Sequence, residues 1–369
     1  MHARAHSVAL AIAAAVIAGG CGDGVLPQGS VTTGGDATAL AFAELVPAAA
    51  GGEAVPDVIV ASPKRGEVDV LTENGDGNWR EVGAFYAGGD AQELAVGHVG
   101  GRGAVAVRDQ GGSVALLAAD TGMPHRLTFP IQVYRRVRNG QPVDDSPPSR
   151  AIALADLDGD GTDELLAATP NGVLVIVGLA DLLDTNPEHP PPANGFRLDA
   201  GAQPNAIAAV DVDGDGRLDL VGLDAAEPTL RVYHHRGAGA GDFDGPRAIA
   251  LPSPGAQVVG SGCAAQPVRV LLDGGRVVAL TRDGKIVPSL NADDPIAALY
   301  ATRDATAASG KPSSGALELY DACANSSVAL GVPPAQAAAM AAGSSSFERL
   351  ALLGEDQKTV ALYRVFTGF

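Results

Sequence analysis

Two stretches of this chain space their carboxylates for metal binding. The run Asp156-Leu-Asp-Gly-Asp-Gly-Thr-Asp-Glu164 returns 55 residues later as Asp211-Val-Asp-Gly-Asp-Gly-Arg-Leu-Asp219. Acids at loop positions 1, 3, 5 and 9 can converge on one hard cation, which takes about six to eight oxygens. In the first copy these are Asp156, Asp158, Asp160 and Glu164, and in the second Asp211, Asp213, Asp215 and Asp219. Position 7 can add a backbone carbonyl, from Thr162 or Arg217, and Gly161 or Gly216 lets the chain turn sharply. The chemistry such loops offer is the holding of Ca2+, at two sites of structural character. A plain polar turn is the competing account, because Asp and Gly make turns without any metal; the repetition with matching flanks favours the metal.

The elements around the loops are strands. A helix-flanked calcium loop carries a bidentate Glu at position 12, but position 12 is Ala167 in one copy and Gly222 in the other. Leu165 to Thr169 and Leu220 to Asp224 are short apolar runs that end at turn residues, the pattern of buried strands. Position 8 is Asp163 in the first copy and Leu218 in the second, so Asp163 is expected to point outward rather than at the ion.

The same plan recurs along the chain: an apolar strand, a turn, a second strand rich in Val and Leu, then a Gly-Asp turn. Glu164 to Thr169 with Gly172 to Gly178 is one case; Asp219 to Asp224, Leu230 to His234 and Gly241 to Pro246 make the next. Pro56 to Ala61, Glu67 to Thr72 and Asn74 to Trp79 form a unit whose metal loop is worn away. Further pairs begin near Glu93, Pro267, Ile296 and Leu350, giving seven units of roughly 47 residues, a length that suits four-stranded propeller blades. Only the third and fourth carry the acid ladder, so no calcium is expected elsewhere. The Ala-rich segment Pro333 to Gly343, with Pro at its start and Gly at its end, reads as a short helix inserted in a loop.

Residues 1–20 carry Arg4, no acid and an apolar stretch from Val8 to Ala18, the layout of a secretory signal peptide. Ala18-Gly19-Gly20-Cys21 resembles the bacterial lipobox, which implies lipidation of Cys21 and its place as the first mature residue; Ala18 stands where that motif usually has Leu or Val, so ordinary signal cleavage stays open. Residues 21–38 then read as a lipidated cysteine and a flexible Gly-rich tether, and 39–369 as the folded body. Cys263 and Cys323 remain: one disulfide, which would close a loop of about 60 residues, or two buried thiols.

Taken together, the acid core, the apolar strand after it and the later Gly-Asp-Phe or Gly-Asp-Gly-Asn-Trp element resemble FG-GAP or VCBS repeats, as in the integrin α-subunit head and many bacterial surface proteins. The resemblance covers most of the mature chain. It implies an all-β fold, a seven-bladed β-propeller of integrin α N-terminal type, with calcium in hairpin loops of particular blades. The ligands carry over onto the residues named above. Glu164 departs from the usual Asp, and its longer arm implies weaker binding at the first loop.

Composition narrows the function. The chain has 43 acidic against 25 basic residues and a formal charge of −18, and losing residues 1–20 moves this to about −19. Nucleic acid is excluded as a partner by that charge and by the want of a basic patch with interleaved aromatics. Membrane contact is expected through the lipid anchor only. His234 and His235 are adjacent, so on a strand they face opposite ways and cannot chelate one ion together. No nucleophile–base spacing stands out. The expectation is a non-enzymatic, calcium-stabilised lipoprotein, exported to the bacterial cell envelope, at the outer membrane, presenting a face to a protein or glycan. The Pro-rich loops at 147–148 and 187–192 are candidate parts of that face. The alternative is an exported propeller enzyme acting on polysaccharide, a lyase or hydrolase.

Overall fold

The computed structural model describes residues 24–366 apart from 47–54, 75–77, 135–136, 139–140, 143–146, 184–193, 199–201, 238, 262, 290–295, 297, 302–305, 311–316, 322–326, 330–336 and 343–347. Short β-branched and aliphatic runs such as Gly172–Val177 and Val268–Leu272 favour extended backbone and pack well on pleated surfaces. Among the described residues they form seven four-stranded antiparallel sheets and a separate two-stranded hairpin.

In the first six sheets the strand order follows the chain order. Their first strands are Ala39–Ala43, Ala91–Val99, Ala151–Ala155, Pro204–Val210, Gly255–Gly260 and Ala298–Ala301. Each of these lies beside the first strand of the next sheet, and Ala337–Ala342, the first strand of the seventh, lies against both Ala298–Ala301 and Ala39–Ala43, so the series closes into a ring. The core is a set of layers between successive sheets. Val70, Val105 and Leu117 fill the layer between the first and second. Leu116, Leu165 and Ile176 fill the next, and Leu166, Val175, Leu220 and Tyr233 the one after.

The chain's two ends meet in the seventh sheet. Gly24–Thr32 pairs antiparallel with Thr359–Phe366, with Val31 opposite Val360 and Val25 opposite Val365. This corrects the tether expected over 21–38, since Gly24–Thr32 is a strand of the folded body. The physical reason is the edge of the last sheet: Thr359–Phe366 would otherwise leave a row of backbone groups unpaired. The segment's Pro and Gly are absorbed by a register shift between Pro27 and Gly29, where Gly29 sits at φ +136°.

A second correction concerns the helix expected over Pro333 to Gly343. Ala337–Ala342 is a strand that pairs with Glu348–Leu353, Ala337 opposite Leu353. Helix propensity favours Ala by only tenths of a kcal/mol per residue over most others, and pairing with Glu348–Leu353 at the inner edge of the last sheet supplies a backbone ladder along one side. Among the described residues the helices are Leu179–Leu183 and a single turn at Pro63–Arg65, and no helix there is long and apolar enough to cross a membrane.

Candidate metal centre

Both acid runs occupy the same place in consecutive sheets. The first joins Ala151–Ala155 to Glu164–Thr169, and the second joins Pro204–Val210 to Asp219–Asp224. The register is identical: Ala155 opposes Glu164, and Val210 opposes Asp219. Loop position 9 is therefore the first residue of a buried strand in each case, with Glu164 and Asp219 both buried, while positions 1 to 8 bulge from the hairpin end.

The backbone of each loop wraps its own carboxylates. Asp156 Oδ1 accepts the N–H of Gly159 at 2.8 Å and Oδ2 that of Gly161 at 2.9 Å. Asp211 does the same with Gly214 at 2.6 Å and Gly216 at 3.0 Å. Asp158 and Asp213 each accept from the residue two further on, as do Asp160 and Asp215. At position 9, Glu164 Oε2 and Asp219 Oδ2 both accept the N–H of loop position 2, Leu157 and Val212, at 2.9 Å. The longer Glu arm thus reaches the same anchor. The loop also needs glycine at position 4, which sequence reasoning did not single out: Gly159 and Gly214 lie at φ +77° and +85°, beside Gly161 and Gly216 at +86° and +87°.

Carboxylate atoms of Asp156, Asp158 and Glu164 lie within 4.8 Å of one another, as do those of Asp211, Asp213 and Asp215. A third set of that size joins Asp213 and Asp219 to His234. Asp160 is not in the first set, and the carbonyls of Thr162 and Arg217 have no described partner that bears on a metal. Arg217 instead places its guanidinium on Asp215 Oδ2 at 2.8 Å. Burial, and then the charges of Asp158, Asp160 and Asp156, push the Glu164 carboxyl up to about 7. Burial raises Asp219 as well, opposed by its bonds from the His235 and Val212 backbones. Crowded oxygen donors, all hard, partly buried and short of a compensating cation in the first loop, fit a divalent ion of calcium's kind.

Asp163 does not simply point outward. Its Oδ2 accepts the backbone N–H of His98, in the neighbouring second sheet, at 2.7 Å. The Gly-Asp-Phe element also gains a role: Phe243 is buried and stacks on His235 with ring centroids 4.7 Å apart, while a Cβ at Gly241 would stand 3.0 Å from the Phe196 ring. His235 Nε2 meets the Gly239 carbonyl at 2.8 Å, on the other side of the strand from His234. Cys263 is disulfide-bonded; Cys323, like Cys21 and residues 1–20, lies outside the described residues, as does the loop at 187–192.

A cleft of about 320 Å³ is lined by Leu45, Val46, Arg102, Gly103, Ala119 and Asp120. Leu45 and Val46 follow a first strand, as the acid loops do, so the cleft opens at the same end of the ring.

Residues 156–222, which contain both acid loops, match the family model of the FG-GAP-like repeat. Among curated proteins none matches the chain. Solved structures similar in fold include BBS1N, crystallised in complex with ARL6DN and soaked with lead, at 13% identity and TM-score 0.63 over 92% of this chain and 96% of that one. A catalytically inactive virginiamycin B lyase from Staphylococcus aureus, with quinupristin, gives 12% and 0.54 over 92% and 99%. PorZ, a bacterial surface component of the type-IX secretion system of Porphyromonas gingivalis, gives 13% and 0.55 over 90% of this chain and 37% of that one. The fold and the repeat define this chain as a β-propeller protein that carries an FG-GAP-like repeat.

Proposed function

We propose that the chain is a seven-bladed, calcium-stabilised propeller that works by presenting a surface rather than by catalysis. In this reading it is exported, held at the bacterial cell envelope by a lipid on Cys21, and offers a protein or glycan the end of the ring where the acid loops and the cleft beside Arg102 lie. The observation that carries the reading is the repetition of one carboxylate geometry at the same hairpin of two consecutive sheets. Asp156, Asp158, Asp160 and Glu164 would hold one ion, and Asp211, Asp213, Asp215 and Asp219 the other. Each ion would neutralise acids that otherwise repel, and so stiffen the hairpin that carries them.

Two measurements test it. Equilibrium dialysis of the chain from Gly22 onward against calcium is expected to give two ions per chain, falling to one with Asp158→Ala or with Asp213→Ala. Labelling of the full chain with a radioactive fatty acid in a bacterial host is expected to mark the wild type and to leave Cys21→Ser unlabelled. No calcium uptake, or equal labelling of both chains, would sink the corresponding half of the proposal.

A further inference from the structure

The end of the ring away from the acid loops carries a cavity of about 390 Å³, where the seventh, first and second sheets meet. Asp36 and Thr38 reach it from just before the strand Ala39–Ala43, Lys64 from the turn after Asp57–Ser62, and Asp90 from just before Ala91–Val99. Three carboxamides complete the wall. Gln92 stands at the register shift between Ala91 and Glu93, Gln110 in the turn after Arg102–Asp109, and Gln357 in the turn after Glu348–Leu353.

Among the described residues, three other than glycine have a positive φ, and two of them line this cavity: Asp36 at +64° and Gln357 at +56°. Residues with a Cβ disfavour that region, and backbone held there collects at functional sites. The lining also keeps unused hydrogen-bonding capacity. The carboxamides of Gln92, Gln110 and Gln357, the Asp90 carboxylate and the Lys64 ammonium make no hydrogen bond or ion pair among the described residues, and Thr38 Oγ1 is closed off from solvent without a partner. Their backbones, by contrast, are tied. The Lys64 N–H donates to Asp36 Oδ2 at 2.5 Å, the Ala37 N–H to the Gln357 carbonyl at 3.0 Å, and the Gln110 N–H to the Asp90 carbonyl at 3.2 Å. The free polar groups are thus positioned before any ligand arrives, which lowers the cost of binding.

We propose that this cavity binds a neutral, hydroxyl-rich ligand, a sugar residue of a glycan. A carboxamide donates through nitrogen and accepts through oxygen, and each sugar hydroxyl does both, so three carboxamides around one cavity match a ring of hydroxyls. An anion would meet one lysine against two carboxylates, on a chain of formal charge −18. An apolar ligand would bury the amides unpaired. A peptide would bring side chains that need apolar walls, and Pro63 is the one apolar residue among the described lining. The site lies opposite the face that carries the acid loops and does not rest on the metal reading.

Titration calorimetry of the chain from Gly22 onward with malto-, cello-, manno- and chitohexaose provides the test. The variant combines Gln110→Ala with Gln357→Gly; glycine suits the positive φ at 357, so two carboxamides are lost while the turn is kept. At least one sugar is expected to bind wild type with a Kd of about 1 mM or tighter, and the variant to weaken it about tenfold or more at a melting midpoint close to that of wild type. No sugar bound by wild type, or equal affinity in wild type and variant, would overturn the proposal. Binding of a Gly-Asn-Ser peptide in place of every sugar, lost in the same variant, would assign the cavity to polypeptide and overturn it as well. Sugar held through these residues by a chain that takes up no calcium would leave this proposal standing and overturn the calcium reading.

Discussion

Asp163 and His98 hold each other by two backbone-level bonds across neighbouring sheets: the Asp163 N–H donates to the His98 carbonyl at 2.7 Å, and the His98 N–H donates to Asp163 Oδ2 at 2.7 Å. Position 8 of the first acid loop thus fastens the loop to the second sheet. The approach is so close that a Cβ at Gly97 would lie 1.8 Å from Asp163 Oδ2.

Removing this bond leaves the His98 N–H without its acceptor. Asp163→Ala is expected to lower stability by roughly 0.5–1.5 kcal/mol, because the bond is open to solvent, and Gly97→Ala to destabilise through the clash. The urea midpoint in saturating calcium measures both. An Asp163→Ala midpoint equal to wild type would show that the bond contributes nothing.

Closure of the ring by Gly24–Thr32 gives a second expectation. A chain that begins at Thr33 exposes the edge of Thr359–Phe366 and uncovers Val360, which is buried. It is expected to melt several degrees lower than a chain that begins at Gly22 and to associate through the open edge. Equal melting midpoints and a monomeric truncated chain would contradict the closure.

The buried Asp57 supplies a pH dependence. Burial raises its pKa, opposed by hydrogen bonds from His125, whose Nδ1 lies 2.9 Å away, and from Thr72. A carboxyl with a raised folded pKa contributes stability that is whole below its ordinary value of 3.8 and is lost as pH rises through the folded value. The difference in unfolding free energy between wild type and Asp57→Asn is therefore expected to shift against wild type as pH climbs from about 3.5 to 6. A difference that stays flat over this window, in urea titrations at fixed calcium, would refute the assignment.

The sequence made the two acid ladders and the strands after them readable because their spacing is strict and local. The repeated strand pairs are also legible by pattern: the run Glu67 to Thr72 falls within the strand Glu67–Glu73. What stayed hidden depends on partners far along the chain. Ala337–Ala342 carries helix-forming residues and becomes a strand because the ring requires one there. Gly24–Thr32 has a linker's composition, and its partner lies at the other end of the chain. The Asp163 contact spans 65 residues, and His234 meets Asp219 only through the register of a hairpin whose length cannot be read from the loop.

The central claim is that paired carboxylate loops hold structural calcium in this propeller. Its most direct test is the melting midpoint of the chain from Gly22 onward in calcium, in magnesium and in a chelator. An ion at about 100 times its dissociation constant adds ~2.7 kcal/mol per site, so calcium is expected to raise the midpoint by several degrees over both other conditions. That rise should vanish when Asp158→Ala and Asp213→Ala are combined. A midpoint that is the same in calcium and in chelator would contradict the account and leave the loops as plain turns.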